Sequence, residues 1–153
     1  MTIKSTIKAQ LLSESIEILN QKIDMLQDVI QSARESRDSD SKSSVGDKYE
    51  TNRAMMHIEI DKNQALLNTT LKLKNELSKI KPEAENRQVE FGSVVYTSNG
   101  NYFTTVALGK LGIEKEVFYA ISLASPIGKA MVGKKKGETF TFQNKEITIK
   151  DVL

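Results

Sequence analysis

Residues Leu12, Ile16, Leu19, Ile23, Leu26, Ile30 and Ala33 alternate steps of four and three without a miss. That is the a/d seam of a coiled coil, because this spacing keeps one apolar stripe on one helix face. No glycine or proline falls between Met1 and Val45, and the off-seam positions hold Gln, Glu, Lys, Asp and Ser. The spacing predicts a helix from about Ser5 to about Ser36, roughly 48 Å long at the helical rise. From Arg37 to Gly46 the seam vanishes into Arg-Asp-Ser-Asp-Ser-Lys-Ser-Ser-Val-Gly, which is loop chemistry. Asp47, with Glu50 three residues later, then reads as an N-cap completed by a capping box. A second helix carries Met56, Ile60, Leu67, Leu73, Leu77 and Ile80, a looser seam that Asn63 and Thr70 interrupt. Pro82 ends it, since the residue before a proline avoids helical angles. Two such helices joined by a short polar turn fold back as an antiparallel hairpin. A parallel dimer on the first seam is the competing arrangement, but it needs no matched return helix.

After the linker Lys81–Gln88 the period falls to two, the signature of strands. Val89–Thr97 reads as a strand, Ser98-Asn99-Gly100-Asn101 as a hairpin turn with the favoured Asn-Gly pair, and Tyr102–Leu108 as the return. Val117–Leu123 is a third strand. Ser125-Pro126 sets an N-cap and a proline in the first helical turn, giving a short helix to about Val132 that Gly133 terminates. Glu138–Phe142 and Glu146–Val152 form a last hairpin. The expected fold is α+β. Residues 1–81 form a long antiparallel coiled-coil hairpin with an acidic tip near 38–50, and residues 84–153 a small antiparallel β domain with one short helix.

Composition narrows the picture further. Hydrophobic content of 39% with no tryptophan argues against one large core and fits a coiled coil attached to a modest β domain. The chain has no cysteine, which excludes disulfides and thiolate metal sites. No segment resembles a signal peptide or is long enough to span a bilayer, so a soluble, cytoplasmic protein is expected. A formal charge of +2 makes the whole chain no electrostatic partner for nucleic acid.

The candidate chemistry sits at the tip. Asp47 and Glu50, three apart, share one helix face and can reach one ion together. Mg²⁺ takes hard oxygen ligands and commonly only one or two protein carboxylates. As a plain helix start the same pair is a capping box, and the two readings are compatible. Asp38 and Asp40 read as solvated loop charges or auxiliary ligands. His57, the only histidine, has no partner for a metal site of its own, and Met55 and Met56 read as seam filler. Lys134-Lys135-Lys136 reads as a solvated turn or as a contact for an acidic surface. Asn68-Thr69-Thr70 fits a glycosylation acceptor but lies within a helix.

The helical hairpin with Gly46-Asp47 and Glu50 at its tip resembles the GreA/GreB transcript cleavage factors of bacterial RNA polymerase. Ser125-Pro126-Ile127-Gly128-Lys129-Ala130-Met131-Val132-Gly133-Lys134, followed by Gly137-Glu138, is similar to that family's Ser-Pro-Ile helix and Gly-Lys turn. Phe91-Gly92-Ser93-Val94-Val95 resembles the strand that opens the same domain. The resemblance implies an FKBP-like C-terminal domain that docks on the polymerase, with Ser125, Pro126, Ile127, Gly133 and Lys134 as partner-binding residues. It implies a hairpin that enters the secondary channel, where Asp47 and Glu50 help hold a Mg²⁺ jointly with the polymerase, whose own active site then hydrolyses the backtracked RNA 3′ end. The protein would have no cofactor of its own, would contact nascent RNA only indirectly and would act as a monomer. Lys48, Thr51, Arg53 and Ala54 stand where the family tip has leucine, asparagine, glutamate and tyrosine, and Lys48 and Arg53 make the local potential more positive.

Three functions follow. The first is a secondary-channel factor, not an enzyme itself, that stimulates cleavage or, as a cleavage-inactive homologue, occupies the channel and inhibits. The second is a coiled-coil interaction module for another partner. The third is a peptidyl-prolyl isomerase, the weakest, because few aromatics remain to line its pocket. The first is the expected one.

Overall fold

The structure is a computed structural model and describes residues 3–39 and 46–153. The expected loop positions 40–45, with Asp40 among them, lie outside the described residues. Helix α1 spans Ile3–Ser39 and α2 spans Asp47–Leu77. α1 runs three residues past the expected end because no helix breaker stops it there, and Arg37 Nε donates to Asp38 Oδ1 at 3.1 Å on its last turn. α2 stops at Leu77, well short of Pro82. The chain leaves it through tightened turns, Lys79 N to Glu76 O (3.2 Å) and Ile80 N to Leu77 O (3.1 Å). Ile80, expected on the seam, lies instead against Gly92, where an added Cβ would sit 3.3 Å from its side chain.

The chain forms two compact units, Met1–Ile18 with Asn75–Leu153, and Leu19–Lys74. In the second unit Ile23, Leu26, Ile30 and Ala33 of α1 share one apolar cluster with Ile60 and Leu67 of α2, and Met56 packs against it. This is the coiled-coil hairpin within a single chain. Asn63 and Thr70 do not interrupt its seam, as the sequence reading had it; they occupy it. Both are buried, so 56, 60, 63, 67 and 70 continue the alternation of four and three. Each turns its polar atoms back onto its own helix. Thr70 Oγ1 donates to Leu66 O at 2.7 Å, and Asn63 Nδ2 donates to Glu59 O at 2.9 Å and to its Oε1 at 3.1 Å. A satisfied polar group can be buried at modest cost, which is why hydropathy alone misreads these positions.

In the other unit the stripe on α1 is Lys8, Leu11, Leu12 and Ser15. Ile16, expected on the seam, is only half-buried. Ser15, fully buried, takes its place and donates to Leu11 O at 2.7 Å.

The remaining chain builds six strands: β1 (Ser93–Thr97), β2 (Gly100–Thr105), β3 (Gly109–Ile113), β4 (Glu116–Ser122), β5 (Thr139–Phe142) and β6 (Lys145–Val152), with α3 (Pro126–Met131) after β4. Their order is β3-β4-β2-β1-β6-β5. The α+β class holds, but the sheet is mixed, because β2 and β4 run parallel. The cause is β3, a strand the sequence reading lacked. It pairs antiparallel with β4 and reverses the chain at Glu114, where φ is +56°, so β4 returns in the direction of β2. Of Gly109-Lys-Leu-Gly-Ile only Leu111 is fully buried, so no alternating signal marked it. β1 begins at Ser93, not Val89. Val89 instead donates its N–H to Lys134 O and accepts from Gly133 N, both at 2.8 Å.

One sheet face buries Val95, Tyr102, Ile147, Ile149 and Val152 with Met131 of α3, and Ile127 and Ala130 pack against them. Successive residues of a strand point to opposite faces, so Val94 and Phe103 bury the other side. There Tyr96 meets Phe118 edge-on, with ring centroids 5.8 Å apart. Burial holds the phenols of Tyr96 and Tyr102 above their ordinary value of 10.0, Tyr96 further through Glu116 and Asp151.

Two outcomes are expected from this packing. Leu26→Ala should cost the hairpin about 2–5 kcal/mol in denaturant unfolding, while Thr70→Val should add about 1 kcal/mol, because no acceptor is orphaned. Raised tyrosine values favour the neutral phenol in the fold, so their stabilisation is complete below pH 10.0 and is lost as pH climbs through the folded values. Tyr96→Phe with Tyr102→Phe should therefore flatten the loss of melting temperature above about pH 10, measured against the parent protein.

Candidate functional site

Gly46 precedes α2 with φ +85° and its carbonyl accepts from Tyr49 N (3.1 Å) and Glu50 N (3.3 Å). The residue whose carbonyl takes the first helical bond is the N-cap. That residue is Gly46, so Asp47 is the first helical residue and not the cap, and Glu50 falls one place beyond the third-position partner of a capping box. Glycine allows the positive φ without a Cβ penalty. The side chain of Asp47 lies outside the described residues. Glu50 is exposed, and among the described residues no hydrogen bond or ion pair engages its carboxylate. Lys48 and Arg53 are exposed beside it, and Arg53 Nη1 donates to Tyr49 Oη at 2.9 Å. Asp38, expected in the loop, is helical and paired with Arg37. Among the described residues the tip thus offers an unpaired carboxylate in a helix's first turn, with cationic neighbours two and three residues away. Free carboxylate oxygen is the hard donor that Mg²⁺ takes singly or in pairs, so the residues fit a shared ion and not a self-sufficient cage. Among the described residues no group of three or more acidic, histidine or cysteine side chains converges.

The C-terminal segment Ser125–Lys134 is a second, separate constellation. Ser125 Oγ accepts from Gly128 N (3.1 Å) and donates to Ser122 O (2.6 Å), which caps α3 and ties it to the end of β4. Pro126 occupies the first helical turn, where no N–H is needed. Gly128 is buried so tightly that a Cβ would collide with Ser122 O and lie 2.7 Å from Leu123 Cα. Ile127 packs into the core, and Gly133, at φ +80°, turns the chain so that Gly133 and Lys134 clamp Val89. The backbone and apolar groups of this motif serve the fold, leaving Pro126, Lys129 and Val132 exposed around it. Phe91, Val117, Tyr119 and Val132 are exposed apolar side chains that hydropathy alone does not mark as surface. Val117 and Tyr119 alternate with buried Phe118 and Ala120, a pattern that marks an outward face.

Fold and site together define a helical-hairpin protein with a small, helix-capped β domain. Residues 84–153 match the family model described as transcription elongation factor, GreA/GreB, C-terminal. That match covers the C-terminal domain and supports membership of the GreA/GreB family of transcription elongation factors. No curated protein matches the chain. Among the described residues no helix is long and apolar enough to cross a membrane.

The close approach at Gly128 separates two effects. Gly128→Ala should destabilise the C-terminal domain by about 3 kcal/mol, since backbone must move to admit the methyl group. Ser125→Ala, which removes a cap and no packing, should cost about 1 kcal/mol in the same thermal unfolding measurement.

Proposed function

We propose that this protein binds RNA polymerase through its C-terminal domain, enters the secondary channel with its hairpin and stimulates cleavage of backtracked RNA. Asp47 and Glu50 then serve as carboxylates lent to the polymerase, holding a Mg²⁺ jointly with it. The bound ion supplies charge stabilisation to the phosphodiester under attack. Glu50 binds and orients; hydrolysis belongs to the polymerase, so this protein is no enzyme by itself. The observation that carries the reading is the family match at residues 84–153, in a chain whose second helix opens on an exposed Glu50 that has no partner among the described residues. Ser125, Pro126, Ile127, Gly133 and Lys134 shape the docking face in this reading, with contact to the nascent RNA made only through the polymerase site.

A specific observation favours a second reading, occupation of the channel without cleavage. Lys48 and Arg53 flank Glu50 and oppose recruitment of a cation. Backtracked elongation complexes decide between the two. Cleavage by the parent protein, reduced at least tenfold by Asp47→Ala and by Glu50→Ala at unchanged polymerase affinity, is the expected result. Tight binding with no cleavage by the parent protein would establish the inhibitory form, and failure to bind polymerase would overturn both.

A further inference from the structure

Outside the seam that joins them, α1 and α2 show different chemistry on their two flanks. A residue one place before a seam position lies on one flank of its helix, and a residue one place after it on the other. When two helices pair antiparallel, the flanks that precede the seam fall on the same side of the hairpin. Met25 and Val29 precede Leu26 and Ile30, and Met55 and Leu66 precede Met56 and Leu67. One side of the unit Leu19–Lys74 therefore carries large apolar side chains in solvent, with exposures from 38% at Val29 to 58% at Met55. Ile58, one turn on from Met55, widens this surface and is 68% exposed. The opposite side, one place after the seam, holds Asp24, Gln27, Gln31, His57, Asp61 and Gln64, interrupted by Leu71.

Single apolar residues at a surface are ordinary, but an apolar side repeated on both helices and set against a polar one marks an interface. Met25 and Met55 are unbranched and polarizable, so they mould to a partner's shape. Charge selects the occupant. Lys22 precedes Ile23 and Lys62 precedes Asn63, so both edge the apolar side; both are exposed, and neither has an ion pair among the described residues. Glu59, the carboxylate on this side, is held to its own helix, its Oε1 accepting from Asn63 Nδ2 at 3.1 Å. A second copy seated here about a two-fold axis would present the same lysine-edged surface to itself, with like charges opposed. An amphipathic helix whose apolar stripe is edged by Asp or Glu meets both the apolar residues and the lysines. Met55 and Leu66 are roughly 16 Å apart along α2, so about three turns of such a helix suffice.

We propose that this side of the hairpin docks an acidic amphipathic helix of a partner protein, with Met25, Val29, Met55 and Leu66 as the apolar contacts and Lys22 and Lys62 as the charged edge. The surface is separate from Asp47 and Glu50, so the proposal stands whichever polymerase outcome is found. Backbone amide NMR of the full chain tests it, titrated with a monomeric stapled helix that carries a leucine stripe edged by glutamates, and separately with its twin edged by lysines. Saturable shifts of the Val29 and Leu66 amides are expected with the glutamate-edged helix, at least tenfold weaker with the lysine-edged one. Val29→Gln with Leu66→Gln should abolish them, and Gln27→Ala, on the opposite side, should leave them unchanged. Lys22→Glu with Lys62→Glu should reverse the preference between the two helices, a readout that survives if the glutamine variants lose stability. Equal binding of the two helices, shifts that never saturate, or shifts centred on Gln27, Gln64 and Leu71 would overturn the proposal. So would sedimentation of the free chain as a dimer that Val29→Gln with Leu66→Gln dissociates, because a second copy would then be the occupant.

Discussion

One stripe on one helix supplies buried residues to both compact units. Lys8, Leu11, Leu12 and Ser15 of α1 belong to the unit that holds the sheet, and Ile23, Leu26, Ile30 and Ala33 to the hairpin. The geometric requirement is the spacing of four and three, which fixes which positions face inward. Residue chemistry comes second. Polar side chains are admitted wherever they can bond back to their own helix, as Ser15, Asn63 and Thr70 do. A buried Asn in a seam also penalises slipped registers, because sliding would separate it from the environment that tolerates it.

The two candidate constellations are built by different means. The tip depends on one backbone feature, the positive φ of Gly46, which starts α2 with carboxylates in its first turns and leaves Glu50 in solvent. The C-terminal motif is nearly all closely packed backbone: a serine that bonds at both ends, a proline that needs no donor and a glycine with no room for a methyl group. Sequence similarity is easier to detect in the second kind. Each position there has a steric reason to be what it is, whereas a solvent-facing tip has no packing to constrain it.

Much of the architecture was legible from period alone. The heptads gave the hairpin, and Ser125-Pro126 with Gly133 gave α3 to within one residue of its observed span. The misreadings share a cause, which is the assumption that buried means apolar. Asn63 and Thr70 look like breaks but are buried in the seam, Ser15 and not Ile16 is the buried position, and Lys8 lies on the same stripe as Leu11, Leu12 and Ser15. β3 was missed for the opposite reason, since a strand with two glycines and one fully buried side chain has no alternation to read. The cap of α2 was misplaced by one residue because Asp is the commoner cap, while the observed geometry uses a glycine carbonyl.

β3 and β5 are the outermost strands of the sheet, five and four residues long, and their outer rims are unclaimed by the sheet. Unclaimed rims invite other chains to add on, and brevity, glycine and lysine blunt that invitation. β3 has all three: it is short, it bends at Gly109 with φ +81°, and it presents Lys110 to solvent. The features that hid β3 from hydropathy are therefore the ones that keep the domain from stacking edge to edge and aggregating at high concentration.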